Sequence, residues 1–189
     1  IAVMATLLVA CKHLDVPSDA QMESRLPKIY PDYTEVMVPA NICPMNFAVQ
    51  EGESETIARL TSPGGTYIYG DNQKVLIDET EWTDMLKSAK GKEIKVEVFA
   101  KIGDKWKAYQ PFNIYVAEDS IDEYISYRAI QPSYEAYEKL SINQRNLTNF
   151  DEREIYNNMS VSSEKVGQCI NCHSYKNFKT DNMLFHMRQ

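Results

Sequence analysis

The residues with the clearest chemistry lie near the end of the chain, in the run Cys169-Ile170-Asn171-Cys172-His173. A CxxCH run is the attachment signature of c-type haem. Its two thiols form thioethers to the two haem vinyl groups, and the adjacent imidazole becomes the proximal ligand of the iron. The run therefore predicts one covalent haem c, attached through Cys169 and Cys172 and ligated by His173.

The second axial ligand of that iron is left open by the sequence. Met183, His186 and Met187 are candidates, and on a helix they would share one face because they are three and four positions apart. A Met ligand would raise the reduction potential, whereas a second His would lower it. Core packing is the alternative role of the two Met residues. Met159, or a residue beyond Gln189, is a further alternative ligand.

Two other chemistries use the same cysteines. A zinc site needs four ligands, and although the spacing from Cys172 to His186 resembles a zinc finger, the segment offers too few well-spaced ones. A thiol-disulfide exchanger would place its CxxC at a helix start after a buried strand. Residues 161–168 show no such strand, so haem is the favoured interpretation.

The beginning of the sequence carries a second chemical signal. Ile1 to Ala10 is apolar and uncharged, and it is shorter than the roughly 20 residues that a bilayer span needs, so it is typical of the end of an export signal. Leu8-Val9-Ala10-Cys11 has the spacing of a lipoprotein cleavage site, which predicts a lipid on Cys11. The alternative is an ordinary signal peptide with an accidental cysteine.

Export and haem attachment support each other, because haem c is attached only outside the cytoplasm. We therefore expect a protein of the cell envelope, anchored to the outer membrane through Cys11. Lys12-His13-Leu14-Asp15 is not an acidic run, which favours the periplasmic face.

Charge restricts the partners. The net charge of -7 and the pI near 5.0 argue against nucleic acid, because neutralising phosphates needs a basic surface. Residues 164–189 are locally basic, with four basic residues against two acidic ones, which would suit an acidic redox partner or simply a solvated surface. Cys43 is the remaining cysteine, and a small buried residue is expected there.

Residues 31–117 consist of short β-type runs bounded by Pro and Gly, which predicts an antiparallel β-sandwich of the immunoglobulin-like type. Hairpin turns are expected at Gly70-Asp71-Asn72 and Gly103-Asp104, and one helix at Glu81 to Ala89. Residues 11–30 are polar and suit a tether. The aromatic residues of the sandwich either form a sugar-stacking face or pack across strands, and packing is favoured; they are Tyr67, Tyr69, Trp106 and Tyr109.

Residues 118–160 are Tyr-rich and are predicted to be a helical or irregular linker. Helices are expected at Asp122 to Ile130, Tyr134 to Leu140 and Asp151 to Tyr156. The linker leads into an incomplete haem-attachment segment at 161–189. The fold class is thus mainly β with α, a sandwich followed by a helical or irregular haem segment.

Several separated motifs of the chain share the order seen in one family. They are Pro39-Ala40-Asn41-Ile42 with Pro44 and Asn46-Phe47, then Ile142 to Phe150, Gly167 to Ser174, and Met183 to Arg188. With these motifs the chain resembles the N-terminal part of TolB-like β-propeller lipoproteins, envelope proteins of Gram-negative bacteria that are often described as cytochrome c-related. The resemblance implies propeller repeats after Gln189, so a sequence cut at its C-terminus is expected. A cut at the N-terminus is also expected, because neither an initiator Met nor a basic region precedes Ile1.

No pairing of a nucleophile with a base is visible, so an electron carrier or binding protein is favoured over an enzyme. The main expectation is a membrane-anchored, cytochrome-like protein that exchanges electrons with an unidentified redox protein. The alternative is a non-redox binding or scaffold module in envelope assembly or glycan handling.

Overall fold

The computed structural model describes residues 14–51, 55–130, 132, 140–160 and 169–188. Over these residues the protein is mainly β, with one α-helix. The described chain divides into two compact units. The first unit comprises the residues up to Val38 and Met45–Glu118, and the second comprises Pro39–Pro44 and the residues from Asp119 onward.

Among its described residues, the first unit holds ten strands and the helix. The strands are β1 (Gln21–Met22), β2 (Ile29–Tyr30), β3 (Val36–Val38), β4 (Phe47–Val49), β5 (Glu55–Ser62), β6 (Gly65–Asn72), β7 (Lys74–Val75), β8 (Glu93–Ile102), β9 (Lys105–Ala108) and β10 (Phe112–Val116), and α1 (Glu79–Ala89) lies between β7 and β8. A larger sheet runs β1-β9-β8-β10-β3, with β5 also on β8 and β6 on β5. A smaller sheet runs β2-β4-β7.

The two sheets of this unit meet through apolar side chains. Phe47 of the smaller sheet packs edge to face on Phe112 of the larger one, with ring centroids 6.5 Å apart. Leu60 and Val96, paired across β5 and β8, have no exposed surface. The sequence predicts a purely antiparallel sandwich, and this is wrong for two pairs of strands. β1 joins β9 and β3 joins β10 in parallel.

The second face of the larger sheet is also apolar. Ile57, Phe99 and Ala108 form a buried cluster there, which we call the second-face cluster. Leu14 and Val16 pack against it, together with Ala20, Ile68 and Trp106. The expectation of a free tether over residues 11–30 is therefore wrong from Leu14 onward, because this apolar face binds the segment.

Helix α1 confirms the predicted helix at Glu81 to Ala89, but it begins two residues earlier, at Glu79. The Oδ1 atom of Asp78 accepts hydrogen bonds from the backbone N–H groups of Thr80 and Glu81 at 2.9 and 3.0 Å, so Asp78 is the N-cap. The buried face, at helical spacing, contains Trp82, Met85, Leu86 and Ala89. Gly91, with φ of +70°, follows the helix as expected of a stop.

Of the two predicted hairpin turns, Gly103-Asp104 joins β8 to β9 as expected. Gly70 is instead a strand residue of β6 opposite Ile57. A Cβ atom at Gly70 would lie 2.8 Å from the carbonyl oxygen of Thr56 and 3.1 Å from Leu14. Close approach of neighbouring atoms, not a turn, is thus the reason for glycine at this position.

An ion pair joins the nearly buried carboxylate of Glu51 to the half-exposed side chain of Arg25. Both terminal nitrogens of Arg25 donate to the carboxylate at 2.6 Å, and the N–H of Lys28 donates at 2.6 Å, while the Glu51 side chain is 5% exposed. Burial by itself raises the pKa of Glu51, but the hydrogen bonds from Arg25 and Lys28 outweigh it, so this pKa lies below its usual value.

We expect Glu51→Gln to lower the free energy of unfolding by about 1 to 2 kcal/mol at neutral pH, because the charge-assisted bonds are lost. A depressed pKa gives stability that is present above the unfolded-state pKa and lost as pH falls through the folded-state pKa. The difference from the native protein should therefore shrink in acid. Urea unfolding at neutral and acid pH measures this, with exposed Glu93→Gln as the control; a difference independent of pH would contradict it.

The second unit is built from five strands among its described residues. They are β11 (Tyr124–Ala129), β12 (Ser141–Asn146), β13 (Glu152–Asn157), β14 (Cys169–Tyr175) and β15 (Met183–Arg188). Strands β11, β12 and β13 form an antiparallel sheet, and β14 pairs with β15.

The helices predicted at 122–130 and 151–156 are wrong, since these segments are β11 and β13. Both lie against β12, which supplies hydrogen-bonding partners on each edge. Long-range pairing thus overrides the local capping signals. The helix predicted from Tyr134 to Leu140 lies outside the described residues, apart from Leu140.

Candidate functional site

The CxxCH run forms the strand β14, which pairs with β15 in an antiparallel hairpin. His173 lies opposite Phe185, and Tyr175 lies opposite Met183. The connection contains a short 3-10 turn, Lys176–Phe178. The helix that would have placed residues 183, 186 and 187 on one face is therefore wrong, because in a strand alternate residues share a face.

A bulge interrupts β14 inside the CxxCH run. Between the pairs Ile170 with Met187 and His173 with Phe185, two residues of β14 face one residue of β15. Asn171 and Cys172 are thus opposite His186. Bulges bend a strand and redirect its side chains, and they are frequent next to functional sites.

The outer face of the hairpin is open to solvent. Cys172, Ser174, Leu184 and His186 are all exposed, and Leu184 is 75% exposed. These four residues line an open pocket of about 280 Å³ together with His173 and Phe185. The Cys172 thiol, which is not in a disulfide, is accessible to a reagent or prosthetic group on this side.

The inner face of the hairpin packs within the second unit. Met183 and Phe185 pack against the buried pair Leu140 and Ile142, and the ring of Tyr156 lies 5.0 Å from that of Phe185. These contacts hold the hairpin in place through its inner face.

His173 lies between these environments. It is half-buried, and its ring meets that of Tyr175 edge to face, with centroids 6.1 Å apart and an angle of 79°. The two residues are alternate members of β14 and share the inner face. The aromatic edge contact restricts the orientation of the imidazole.

The hairpin geometry distinguishes the three candidates for a second axial ligand by the contacts that each one makes. Met183 packs in the Leu140 and Ile142 cluster, and the sulfur of Met187 accepts a hydrogen bond from the Tyr156 hydroxyl at 3.7 Å. His186 is exposed and lines the same pocket as Cys172. The structure thus brings His186 and Cys172 together, and it gives each Met another contact.

The donor set fits a c-type haem in its chemistry, since an accessible thiol precedes a half-exposed imidazole. The extended strand, however, turns Cys172 to the outer face and His173 to the inner face. The backbone of Cys169 pairs with Arg188, and its side chain lies outside the described part, as does Cys11. In the described ranges there is no cluster of three or more His, Cys, Asp or Glu residues able to hold a metal ion.

Sequence reasoning missed the role of Pro39–Pro44, which belongs to the second unit. The side-chain amide of Asn41 donates to the carbonyl of Ile121 and accepts from its N–H, both at 2.9 Å. The N–H of Cys43 donates to the carbonyl of Leu147 at 2.8 Å, and Cys43 is half-buried. The signal in the sequence is Asn41 itself, between Pro39 and Pro44, because an Asn side chain readily forms hydrogen bonds to backbone groups.

The four aromatic residues considered for sugar stacking do not form an exposed face. Tyr69 and Tyr109 are buried, and the hydroxyl of Tyr69 donates to Glu81 at 2.6 Å. Trp106 packs on the second-face cluster, and Tyr67 is half-buried.

Within the described residues, the helix present is too short and too polar to cross a bilayer. Comparisons with protein families, curated proteins and solved structures give no match to this chain.

Proposed function

We propose that this chain is a lipid-anchored envelope protein that carries one covalent haem c on the β14–β15 hairpin and transfers electrons. The observation that carries the proposal is the accessible thiol of Cys172 directly before the half-exposed imidazole of His173, within a CxxCH run. Lipid attachment at Cys11 is part of the proposal and rests on the export signal in the sequence.

Each residue has a separate role. Cys169 and Cys172 would hold the haem through thioethers, and His173 would ligate the iron. When bound, haem supplies one-electron redox chemistry, while the protein sets the potential through ligation and burial. The edge contact from Tyr175 would orient the imidazole of His173.

The proposal requires residues 169–173 to leave the extended conformation. The thiol would have to reach a haem vinyl group while the imidazole reaches the iron of the same haem. Strand β14 instead turns Cys172 and His173 to opposite faces. The bulge at Asn171 and Cys172 supports such a change, because regular pairing is already interrupted there.

Charge near the hairpin suits an acidic redox protein. In the connection between β14 and β15, Lys176 and Lys179 are exposed together with a single exposed acidic residue, Asp181, in a protein with a net charge of -7. A local basic patch steers an acidic partner toward the site and makes association faster at low salt.

The haem proposal is tested with the full chain produced with and without the haem-attachment machinery in an exporting bacterial host. We expect the pyridine haemochrome spectrum of a covalently bound haem, at one haem per chain, only when the machinery is present. Absence of covalent haem from folded, exported protein would refute the proposal.

A non-redox scaffold is the second candidate, and one observation favours it. The hairpin already packs on Leu140 and Ile142 through its inner face, so no prosthetic group is needed to complete that contact. In this version the first unit would be an immunoglobulin-like spacer, a reading supported by the contact of Phe47 in its smaller sheet with Phe112 in its larger sheet. Redox titration separates the candidates, because only a haem carrier shows a reversible potential.

A further inference from the structure

The segment that follows Cys11 is seated on the larger sheet of the first unit. Leu14 lies over Gly70 of β6. A Cβ atom at Gly70 would be only 3.1 Å from the Cδ2 atom of Leu14. Val16 and Ala20 continue onto the second-face cluster. From Leu14 onward, the segment is therefore fixed to one face of the sheet.

Cys11 is separated from Leu14 by only three peptide links. A fully extended chain of this length spans at most about 11 Å between Cα atoms. Leu14 itself lines a shallow cleft of about 140 Å³ with residues at the ends of β5 and β6, among them Glu55 and Asn72. A lipid on Cys11 therefore cannot be far from this end of the sheet.

We infer that the end of the larger sheet marked by Leu14, Glu55 and Asn72 is the membrane-proximal surface of the first unit, and that its partner is the phospholipid surface that receives the Cys11 lipid. This inference rests on the lipidation in the proposed function. It changes the anchor from a free stalk into a short link that sets the orientation of the domain.

Acyl chains, not charge, provide the attraction. Asp15 and Asp19, in the same segment as Leu14, are exposed, and their negative charge disfavours contact with anionic headgroups. Burial of acyl chains in the bilayer is independent of salt. Neutral lipids are therefore the appropriate surface for the test.

The experiment compares two tryptophan reporters on β6 of the full, lipidated chain. Asn72→Trp lies at the proposed near end, and Thr66→Trp lies about 20 Å away along the same strand; both positions are exposed. Each is made with Trp106→Phe, which leaves Trp82, 1% exposed, as a constant signal. The proteins are bound to phosphatidylcholine vesicles that contain a nitroxide-headgroup lipid, which quenches nearby fluorescence.

We expect Asn72→Trp to lose emission and Thr66→Trp to keep it. A flexible insert of about ten Gly and Ser residues between His13 and Leu14 should remove the difference in quenching. The longer link no longer holds one end of the sheet near the nitroxide headgroups. Equal quenching of both reporters in lipidated protein, or none in either, would overturn the orientation. Mass spectrometry that finds no lipid on Cys11 would overturn the anchor itself, so the two failures are distinguishable.

Discussion

Replacing both thiols of the CxxCH run, as Cys169→Ser with Cys172→Ser, is expected to abolish covalent haem attachment. Serine has nearly the same size as cysteine but cannot form a thioether to a vinyl group. Cys172→Ser alone should leave at most a single, weaker linkage through Cys169. The measurement is haem-linked absorbance that stays with the protein chain after denaturation and solvent extraction.

Cys43→Ser is the matched control for this prediction. Cys43 lies in Pro39–Pro44, outside the hairpin, and it is half-buried and not in a disulfide. This variant should keep its haem. Far-ultraviolet circular dichroism shows whether each variant is folded. Covalent haem in folded Cys169→Ser, Cys172→Ser protein would contradict the proposed site.

His173→Ala separates attachment from ligation. The thiols remain, so covalent linkage is retained in part, but the iron loses its proximal ligand and its absorption spectrum changes. A purely structural role for His173, through its contact with Tyr175, predicts loss of packing with an unchanged spectrum.

Local patterns predicted those parts of the fold that local interactions determine. Helix α1 was predicted because its cap and its apolar face lie within one short segment, and the β8–β9 hairpin because Gly103 can adopt φ of +61°. Residues 122–130 also have a local helix signal, but they form β11. Their partner β12 begins at Ser141, beyond the reach of a local pattern.

The candidate site shows the same limit. The residues of the CxxCH run were identifiable by type and spacing alone. Their faces were not, since Met183, His186 and Met187 would share one face of a helix, whereas in a strand only Met183 and Met187 do. Residues 183–188 form a strand because they pair with β14, and this places His186 on the opposite face from the two Met residues.

The fold of the first unit depends on side chains that are buried between its sheets, so Leu60→Ala should lower the free energy of unfolding by about 2 to 5 kcal/mol. Leu60 has no exposed surface and lies in the centre of β5, paired with Val96. Truncation removes apolar contacts and leaves a cavity that the surrounding strands cannot close.

Leu76→Ala is the matched control in the same unit, because Leu76 is 61% exposed and loses little contact on truncation. Its effect should stay within about 0.5 kcal/mol. Urea unfolding followed by the fluorescence of Trp82, which is buried in this unit, measures both variants. Equal effects of the two substitutions would mean that the interior of the first unit does not lie where β5 and β8 place it.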